Sequence, residues 1–290
     1  MIREIQANVL LAPIKQPDPF FGLKYNMNIY RGCQHQCIYC DSRSECYQIE
    51  NFCDVLVKVN AIERLRDELP RKRVKGTIGT GSMSDPYTPV ERECRLTGRA
   101  LEVIAEYQFP VHIITKSDLV VRDSEVLREI NRVLAVVSFS LTTTDDDLAR
   151  IVEPGAPSPS RRLQAIADLR AQGIHAGITM MPLLPFLTDS EDNLTRIIQQ
   201  AHDHGAKYIL PSFGMTLRDR QRAYYYDRLD QHFPGLRAQY EQRFGERYSA
   251  PANNVAHLQE VFYELCAAHG IKTEILLYSP PTTALQPRLL

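Results

Sequence analysis

Three cysteines lie close together near the start of the chain, at Cys33, Cys37 and Cys40. Their spacing is C-x3-C-x2-C, and the glycine and glutamines around them are typical of an exposed loop. Three thiolates on one short loop can bind three irons of a cubane and leave the fourth iron without a protein ligand. A metal site that activates a substrate needs such a vacant position, as catalytic zinc sites do. The spacing therefore predicts a [4Fe–4S] cluster with one open iron.

A zinc site and a set of unrelated thiols are also compatible with these cysteines. A structural zinc site would need a fourth ligand, for which His35 and Cys46 are the nearest candidates, and such sites usually contain two C-x2-C pairs, of which this chain has one. Three unrelated buried thiols are the second alternative, because free cysteines often behave as small apolar residues. The chain has seven cysteines, and this odd number favours a metal or redox site in a reducing compartment over a disulfide framework.

Alternating strand and helix patterns continue from the cysteine loop along most of the chain. Short β-branched or continuous apolar runs predict strands, and apolar residues at helical spacing predict the helices between them. The predicted strands cover residues 25–30, 74–80, 111–115, 135–141, 175–180 and 208–211. About six such units in succession predict an α/β fold, namely a partial parallel (β/α)6 TIM-like barrel. Ligands of such folds bind at the carboxyl ends of the strands.

Several helices have signals at their ends. Ser158, Pro159 and Gly173 mark the start and the end of one helix, and Thr188 with Glu191 forms a capping box ahead of the next. The predicted helices outside these two segments cover residues 58–69, 91–107, 124–131, 220–231, 236–244 and 255–269.

The pattern of elements changes after residue 212. Helices dominate from there on, with one last strand predicted near residues 272–276. We therefore expect two parts, a barrel domain over residues 1–212 and a helical C-terminal extension over residues 213–290 that packs on the barrel.

The cysteine loop resembles a known family in its residues as well as its spacing. Tyr30-Arg31-Gly32-Cys33 and the later Tyr39-Cys40 are similar to the radical SAM superfamily, and the continuation of the chain resembles its spore photoproduct lyase-like branch. The resemblance implies an enzyme of the lyase or transferase type, with Tyr39 beside its cofactor. In that family the open iron binds the amine and carboxylate of S-adenosylmethionine. One electron from the cluster then breaks the C5′–S bond and gives a 5′-deoxyadenosyl radical.

The resemblance also implies residues that bind the methionine part of the cofactor. Ser84 and Asp85, in the glycine-rich segment after the second strand, correspond to the amine-binding positions. Lys116 corresponds to a lysine that pairs with the carboxylate, and Ser140 to a hydroxyl donor. Each of these residues follows a predicted strand, although an ordinary glycine-rich turn and a surface lysine remain alternatives.

Two further positions match the family in the same order. Glu153, in a Glu-Pro-Gly turn, is expected to reach the ribose or the edge of the substrate, although turn chemistry alone would account for the proline and glycine. Met181, at the end of the fifth strand, is expected beside the adenine, although plain core packing accounts for it equally well.

One position departs from the lyase pattern. Spore photoproduct lyases carry a cysteine in the glycine-rich segment that returns a hydrogen atom to the product, and Ser82 stands in its place here. A serine O–H bond is too strong for that role, so dimer repair by this route is not expected. Cys46 is the first candidate for another reactive thiol, ahead of Cys53, Cys94 and Cys266.

The substrate class is left open by the sequence. The formal net charge is −1 and the pI is near 6.7, so no general attraction to nucleic acid is expected, although a local groove could bind it. Arginines and tyrosines are clustered over residues 218–228, but aspartates among them are typical of a solvated helix face. A nucleic-acid lesion or modified base is therefore one hypothesis, and a peptide or small metabolite is another. A zinc-binding module is the non-enzymatic alternative.

Partners and location follow from the same resemblance and from the hydropathy. A radical SAM enzyme needs a reductant such as flavodoxin or ferredoxin. No apolar run in the chain has the length of a signal peptide core or a membrane span, so we expect a cytoplasmic protein without a membrane partner.

Overall fold

The computed structural model describes residues 1–16, 20–49, 51–52 and 54–280. Cys53 and the last ten residues of the predicted extension lie outside this part of the chain. The strands are β1 (Ile2–Ile5), β2 (Leu11–Pro13), β3 (Leu23–Met27), β4 (Tyr30–Arg31), β5 (Val55–Lys58), β6 (Thr77–Thr80), β7 (Val111–Thr115), β8 (Ala135–Ser140), β9 (His175–Met180), β10 (Ile209–Pro211), β11 (Gly214–Thr216) and β12 (Ser249–Pro251). The α-helices are α1 (Ala61–Glu68), α2 (Glu91–Cys94), α3 (Leu96–Glu106), α4 (Ser124–Ile130), α5 (Asp146–Val152), α6 (Pro159–Ala171), α7 (Glu191–Asp203), α8 (Asp219–His232), α9 (Leu236–Phe244) and α10 (Val255–Ala268).

The central sheet has seven strands in the order β10-β9-β8-β7-β6-β3-β2. Strands β3 to β10 in this sheet are parallel, and β2 is antiparallel to β3 at one edge. The six parallel strands confirm the predicted α/β fold. Among the described residues no further strand pairs with the outer edge of β2 or of β10, so the sheet is open rather than a closed barrel.

The sheet is curved around one cavity. Ser82 follows β6 and Ser212 follows β10, and both line the same cavity. In a flat sheet these two strands, four steps apart, would be about 19 Å from each other. The carboxyl ends of the strands therefore converge, as a partial barrel requires.

The outer face of the sheet forms the main apolar core with the helices. Val111 and Ile113 of β7 and Val137 and Phe139 of β8 are fully buried there. Burial on both faces explains why these strands read as nearly continuous apolar runs in the sequence.

The inner face carries a buried polar network beneath the cavity. His112 Nε2 lies 2.7 Å from Ser138 Oγ, and Ser138 Oγ lies 2.7 Å from the hydroxyl of Tyr208. The ring of His175 stacks on Tyr208 with 5.3 Å between centroids. Burial, with a smaller effect of His175, lowers the pKa of His112 to about 3. The neutral imidazole is therefore part of the folded barrel.

This network predicts a loss of stability in mild acid. Since the folded pKa of His112 is depressed, its contribution is complete above the unfolded pKa near 6.5 and is lost as pH falls towards 3. Between pH 6.5 and about pH 5 we expect a loss of about 2 kcal/mol in unfolding free energy. Urea titrations at the two pH values should show that His112→Gln loses less unfolding free energy than the wild type. The exposed His232→Gln should behave as wild type, and equal losses in all three proteins would contradict the assignment.

Several element boundaries differ from the predictions. The helix predicted over residues 91–107 is two helices, because Arg95 has a φ of 51° between α2 and α3. Thr188 does not cap α7, since its hydroxyl accepts from the N–H of Leu184. Ser190 is the N-cap of α7 and accepts from the N–H of Asn193.

Other differences concern strands. The strand predicted near residues 272–276 is wrong, since that segment forms only an isolated bridge between Lys272 and Tyr208. The predicted helix over residues 58–69 begins at Ala61, because β5 occupies residues 55–58. The small sheet β1-β5-β4 was not predicted.

The C-terminal segment is helical but also adds strands. The three predicted helices are observed as α8, α9 and α10, and β11 pairs with β12 in a two-stranded antiparallel sheet, with α8 and α9 between them in sequence. None of the helices in the described residues is long and apolar enough to cross a membrane.

Candidate active site

The carboxyl ends of the parallel strands surround a cavity of about 580 Å³. Most residues singled out by the sequence line it. These residues are Cys33, Cys37, Tyr39, Cys40, Ser82, Asp85, Lys116, Ser140 and Met181. Ser84, Glu153 and Cys46 are not among the lining residues.

The cysteine loop is fixed by backbone hydrogen bonds to distant segments. It starts after Gly32, whose φ is +86° and where a Cβ would lie 2.1 Å from the carbonyl oxygen of Asp54. The N–H of Ile38 donates to the carbonyl of Val152 at 2.9 Å, and the N–H of Gly155 donates to the carbonyl of His35 at 2.9 Å. The loop between α5 and α6 therefore holds the cysteine loop in place.

The three thiols are largely buried at one end of the cavity. Burial raises the pKa of Cys33 to about 12 and raises the pKa of Cys37 and Cys40 as well. Thiolates at these positions need positive charge, which metal ions supply.

The donor set fits the predicted cluster. In the described residues no three His, Cys, Asp or Glu side chains are grouped as ligands of one metal ion. A cubane needs a different arrangement, because each of three thiolates binds a separate iron. Three thiols that share one cavity satisfy this requirement.

Asp85 connects three parts of the site. Its carboxylate accepts from the hydroxyl of Thr115 at 2.6 Å and from the N–H groups of Lys116 at 2.7 Å and Tyr87 at 2.9 Å. His35 Nε2 lies 3.2 Å from Oδ2, the oxygen that also accepts from the N–H of Lys116. Burial opposes ionisation of this carboxyl, but His35, Thr115 and the N–H of Lys116 lower the pKa of Asp85 to about 2. Asp85 is therefore a carboxylate that joins the glycine-rich segment to the cysteine loop and to β7.

Lys116 and Glu153 belong to a buried charged group. Glu153 pairs with Arg162, accepts from the hydroxyl of Tyr39, and has its Oε1 4.0 Å from Lys116 Nζ. Burial opposes the charge of Lys116, but Cys37 and Glu153 outweigh it and raise the pKa of Lys116. The expectation that Glu153 is free to reach a ribose is not met here, because the side chain is 1% exposed and held by its partners.

Three other predicted residues have simple surroundings. Ser140 Oγ accepts from Thr179 at 3.2 Å and faces the cavity, as does Met181. Ser84 is buried, and its hydroxyl has no partner in the described part of the chain. The backbone of Gly81 lies very close to β7. A Cβ at this position would be 1.9 Å from the carbonyl oxygen of Ile114, so the approach requires glycine.

Ser82 and Cys46 lie in different places. Ser82 Oγ accepts from Asn26 Nδ2 at 3.2 Å at the rim of the cavity. Cys46 is exposed and lines a second cavity, where Arg218 donates to its sulfur at 3.1 Å. The structure does not bring Cys46 to the predicted cofactor pocket.

The first turn of α8 holds the segment that follows the third cysteine. Arg220 donates to the carbonyls of Arg43 and Ile49, both at 2.7 Å, and Gln221 donates to the carbonyl of Tyr39 at 3.1 Å. The C-terminal extension is therefore part of the site. The β11 and β12 strands also line the cavity.

The sequence did not single out His35 for its contact with Asp85, nor Arg162 and Gln221. Arg162 stands in an arginine pair at the start of a helix, which is typical of a surface position. Its burial depends on the distant Glu-Pro-Gly turn. The position of His35 between Cys33 and Cys37 was the one local signal available.

Comparisons with known proteins identify the family. The model of the radical SAM superfamily matches residues 27–198. An uncharacterized protein of Mycobacterium tuberculosis is 31% identical over 270 residues, which are 90% of this chain and 79% of the relative. This chain belongs to the radical SAM superfamily.

Solved structures show the same fold. Spore photoproduct lyase complexed with dinucleoside spore photoproduct superposes with a TM-score of 0.69 and 14% identity, over 92% of this chain and 79% of that one. A variant of that lyase with bound AdoMet and dinucleoside spore photoproduct has a TM-score of 0.68 and 15% identity, over 92% and 78% of the two chains. The likeness to these lyases confirms the spore photoproduct lyase-like fold.

Proposed function

We propose that this protein uses a [4Fe–4S] cluster on Cys33, Cys37 and Cys40 to cleave S-adenosylmethionine reductively. When bound, the cluster and S-adenosylmethionine supply a 5′-deoxyadenosyl radical that abstracts hydrogen from a substrate. The observation that carries the proposal is that the three thiols share one cavity with four residues from the carboxyl ends of four successive strands, namely Asp85, Lys116, Ser140 and Met181.

Each of these residues has a role in the proposal. Lys116 would bind the carboxylate of the methionine part, and Ser140 would donate a hydroxyl to it. Asp85 would bind the amine with the orphaned hydroxyl of Ser84 near it. Tyr39 and Met181 would pack along the nucleoside. Pro251 and Phe213 of the C-terminal extension line the cavity and would help to exclude water from the radical.

The metal content tests the proposal against a zinc-binding module. After anaerobic reconstitution we expect about four irons and four sulfides per chain. Cys37→Ala should lose most of both, whereas Cys94→Ala, outside the loop, should retain them. Zinc as the bound metal, or equal iron in both variants, would contradict the cluster assignment. The reductant is proposed to be a flavodoxin or ferredoxin.

Two substrate classes follow from different observations. A nucleic-acid lesion or modified base is supported by the fold shared with a lyase solved with a dinucleoside. The arginines and tyrosines of residues 218–228 give little support to a nucleic-acid substrate. Arg218 pairs with Asp41, Arg222 pairs with Glu246, and Tyr225 is buried.

A peptide or small metabolite is favoured by the lining of the cavity. Among the described residues that form it, Lys116 is the one lysine or arginine. A groove for a nucleic-acid backbone would normally carry several such side chains. Binding of DNA or RNA that weakens steeply with salt would support the first class. If neither DNA nor RNA binds even at low salt, the substrate is a peptide or a small metabolite.

A further inference from the structure

The buried charged group beside the cavity contains two cations and one anion. Lys116 lines the cavity, whereas Glu153 and Arg162 lie behind it and are each 1% exposed. Buried charges are tolerated when they are paired and hydrogen-bonded, so the pairing within this group decides which charge stays available.

Arg162 is fully committed to protein acceptors. Its Nη2 pairs with Oε2 of Glu153, its Nε donates to the carbonyl of Pro157 at 2.8 Å, and its Nη1 donates to the carbonyl of Ser140 at 3.0 Å. The guanidinium therefore ties the Glu-Pro-Gly turn to the end of β8 and fixes one oxygen of Glu153.

The other oxygen of Glu153 is held by Tyr39 rather than by Lys116. Oε1 accepts from the hydroxyl of Tyr39, and Lys116 Nζ is 4.0 Å away, beyond hydrogen-bond distance. Since Arg162 balances the charge of Glu153, the positive charge of Lys116 remains directed to the cavity.

We propose that Arg162 is a positioning residue that keeps Glu153 from neutralising Lys116, so that Lys116 can bind a ligand carboxylate. The inference rests on the proposed function, in which that carboxylate belongs to S-adenosylmethionine. Without Arg162, the charge of Glu153 would be balanced by Lys116 alone, and Glu153 would compete with the ligand for the same ammonium group.

The test compares two ligands that differ only in the carboxylate. Binding of S-adenosylmethionine and of its decarboxylated form is measured by anaerobic equilibrium dialysis on reconstituted protein of known iron content. We expect Arg162→Gln to weaken the binding of S-adenosylmethionine by about tenfold or more, because the unbalanced carboxylate of Glu153 then faces Lys116. The decarboxylated ligand should bind the variant and the wild type about equally well.

A double variant separates this role from a structural one. In Glu153→Gln/Arg162→Gln the competing anion is gone, so the affinity for S-adenosylmethionine should return close to that of the wild type. The neighbouring Arg161→Gln, whose partner Asp118 lies on the surface side, should have no effect. Far-UV circular dichroism and iron content show whether each variant is folded and loaded. Glu153→Gln alone removes the same anion and should also retain the binding of S-adenosylmethionine. It therefore tests the inference even if Arg162→Gln does not fold.

Four outcomes would overturn the inference. Equal losses for both ligands, or no recovery in the double variant, would show that Arg162 acts only on the fold. Unchanged binding in Arg162→Gln would show that Glu153 does not compete. If wild-type protein with a full cluster binds neither ligand, the proposed function fails, and the inference fails with it.

Discussion

We expect Gly155→Ala to bind the proposed cluster much more weakly while it keeps the folded barrel. A Cβ at this position would lie 2.1 Å from the carbonyl oxygen of Gln34 and 3.1 Å from the Cα of His35. These atoms are backbone of the cysteine loop, so the loop must move away. The hydrogen bond from the N–H of Gly155 to the carbonyl of His35 would be lost with that movement.

The size of the effect follows from the cost of overpacking. About 1–3 kcal/mol of strain corresponds to a loss of about tenfold to a hundredfold in cluster affinity. Iron and sulfide per chain after reconstitution measure it. Gly173→Ala is the matched control, because nothing lies within 4 Å of the added Cβ and only its φ of +79° opposes the change. If the two variants hold equal iron, the close contact with the cysteine loop is not important.

Glu91→Ala should give the largest loss of stability. Glu91 is completely buried and accepts from Arg122 at 2.7 Å, from the N–H of Thr97 at 3.0 Å and from the hydroxyl of Tyr30. Removal of the carboxylate leaves a buried phenol and the N–H groups of Thr97 and Gly98 without their acceptor, whereas Arg122 keeps its pair with Asp123. We expect a loss of about 3–5 kcal/mol in unfolding free energy, because each buried donor that is left unsatisfied costs about 1–3 kcal/mol.

Two controls accompany this variant in urea or thermal unfolding. Glu93→Ala changes an exposed glutamate of the same short helix and should have little effect. Glu91→Gln keeps an acceptor of the same shape and should fall between the two. Because Tyr30 directly precedes the cysteine loop, cluster retention should fall together with stability. A Glu91→Ala protein as stable as Glu93→Ala would contradict this interpretation.

Local signals explain which parts of the fold could be predicted. Strands β7 and β9 were predicted with their observed bounds, since their apolar runs are bordered by clear turn residues. Helix α6 was also predicted from its ends, and Ser158, Pro159 and Gly173 are found in those roles. The rule that ligands bind at the carboxyl ends of parallel strands then predicted a common site for Lys116 and Ser140, and both line one cavity.

Features that depend on distant contacts could not be predicted. Turn chemistry accounted for Pro154 and Gly155, yet the glycine is required because a carbonyl 121 positions earlier approaches it. The buried pair of Glu153 and Arg162 has no local pattern, and neither does the contact of Arg220 with the cysteine segment. The small sheet of β1, β4 and β5 also forms between strands too short to give a periodic signal.

Formation of 5′-deoxyadenosine tests the central claim most directly. The reconstituted protein is reduced with a chemical reductant without oxygen, S-adenosylmethionine is added, and the product is quantified by chromatography against Cys37→Ala treated in the same way. The proposed function predicts product from the wild type and from Cys94→Ala, with Cys37→Ala at the level of a reaction without protein. A wild type that carries a full cluster and makes no more 5′-deoxyadenosine than Cys37→Ala would contradict it.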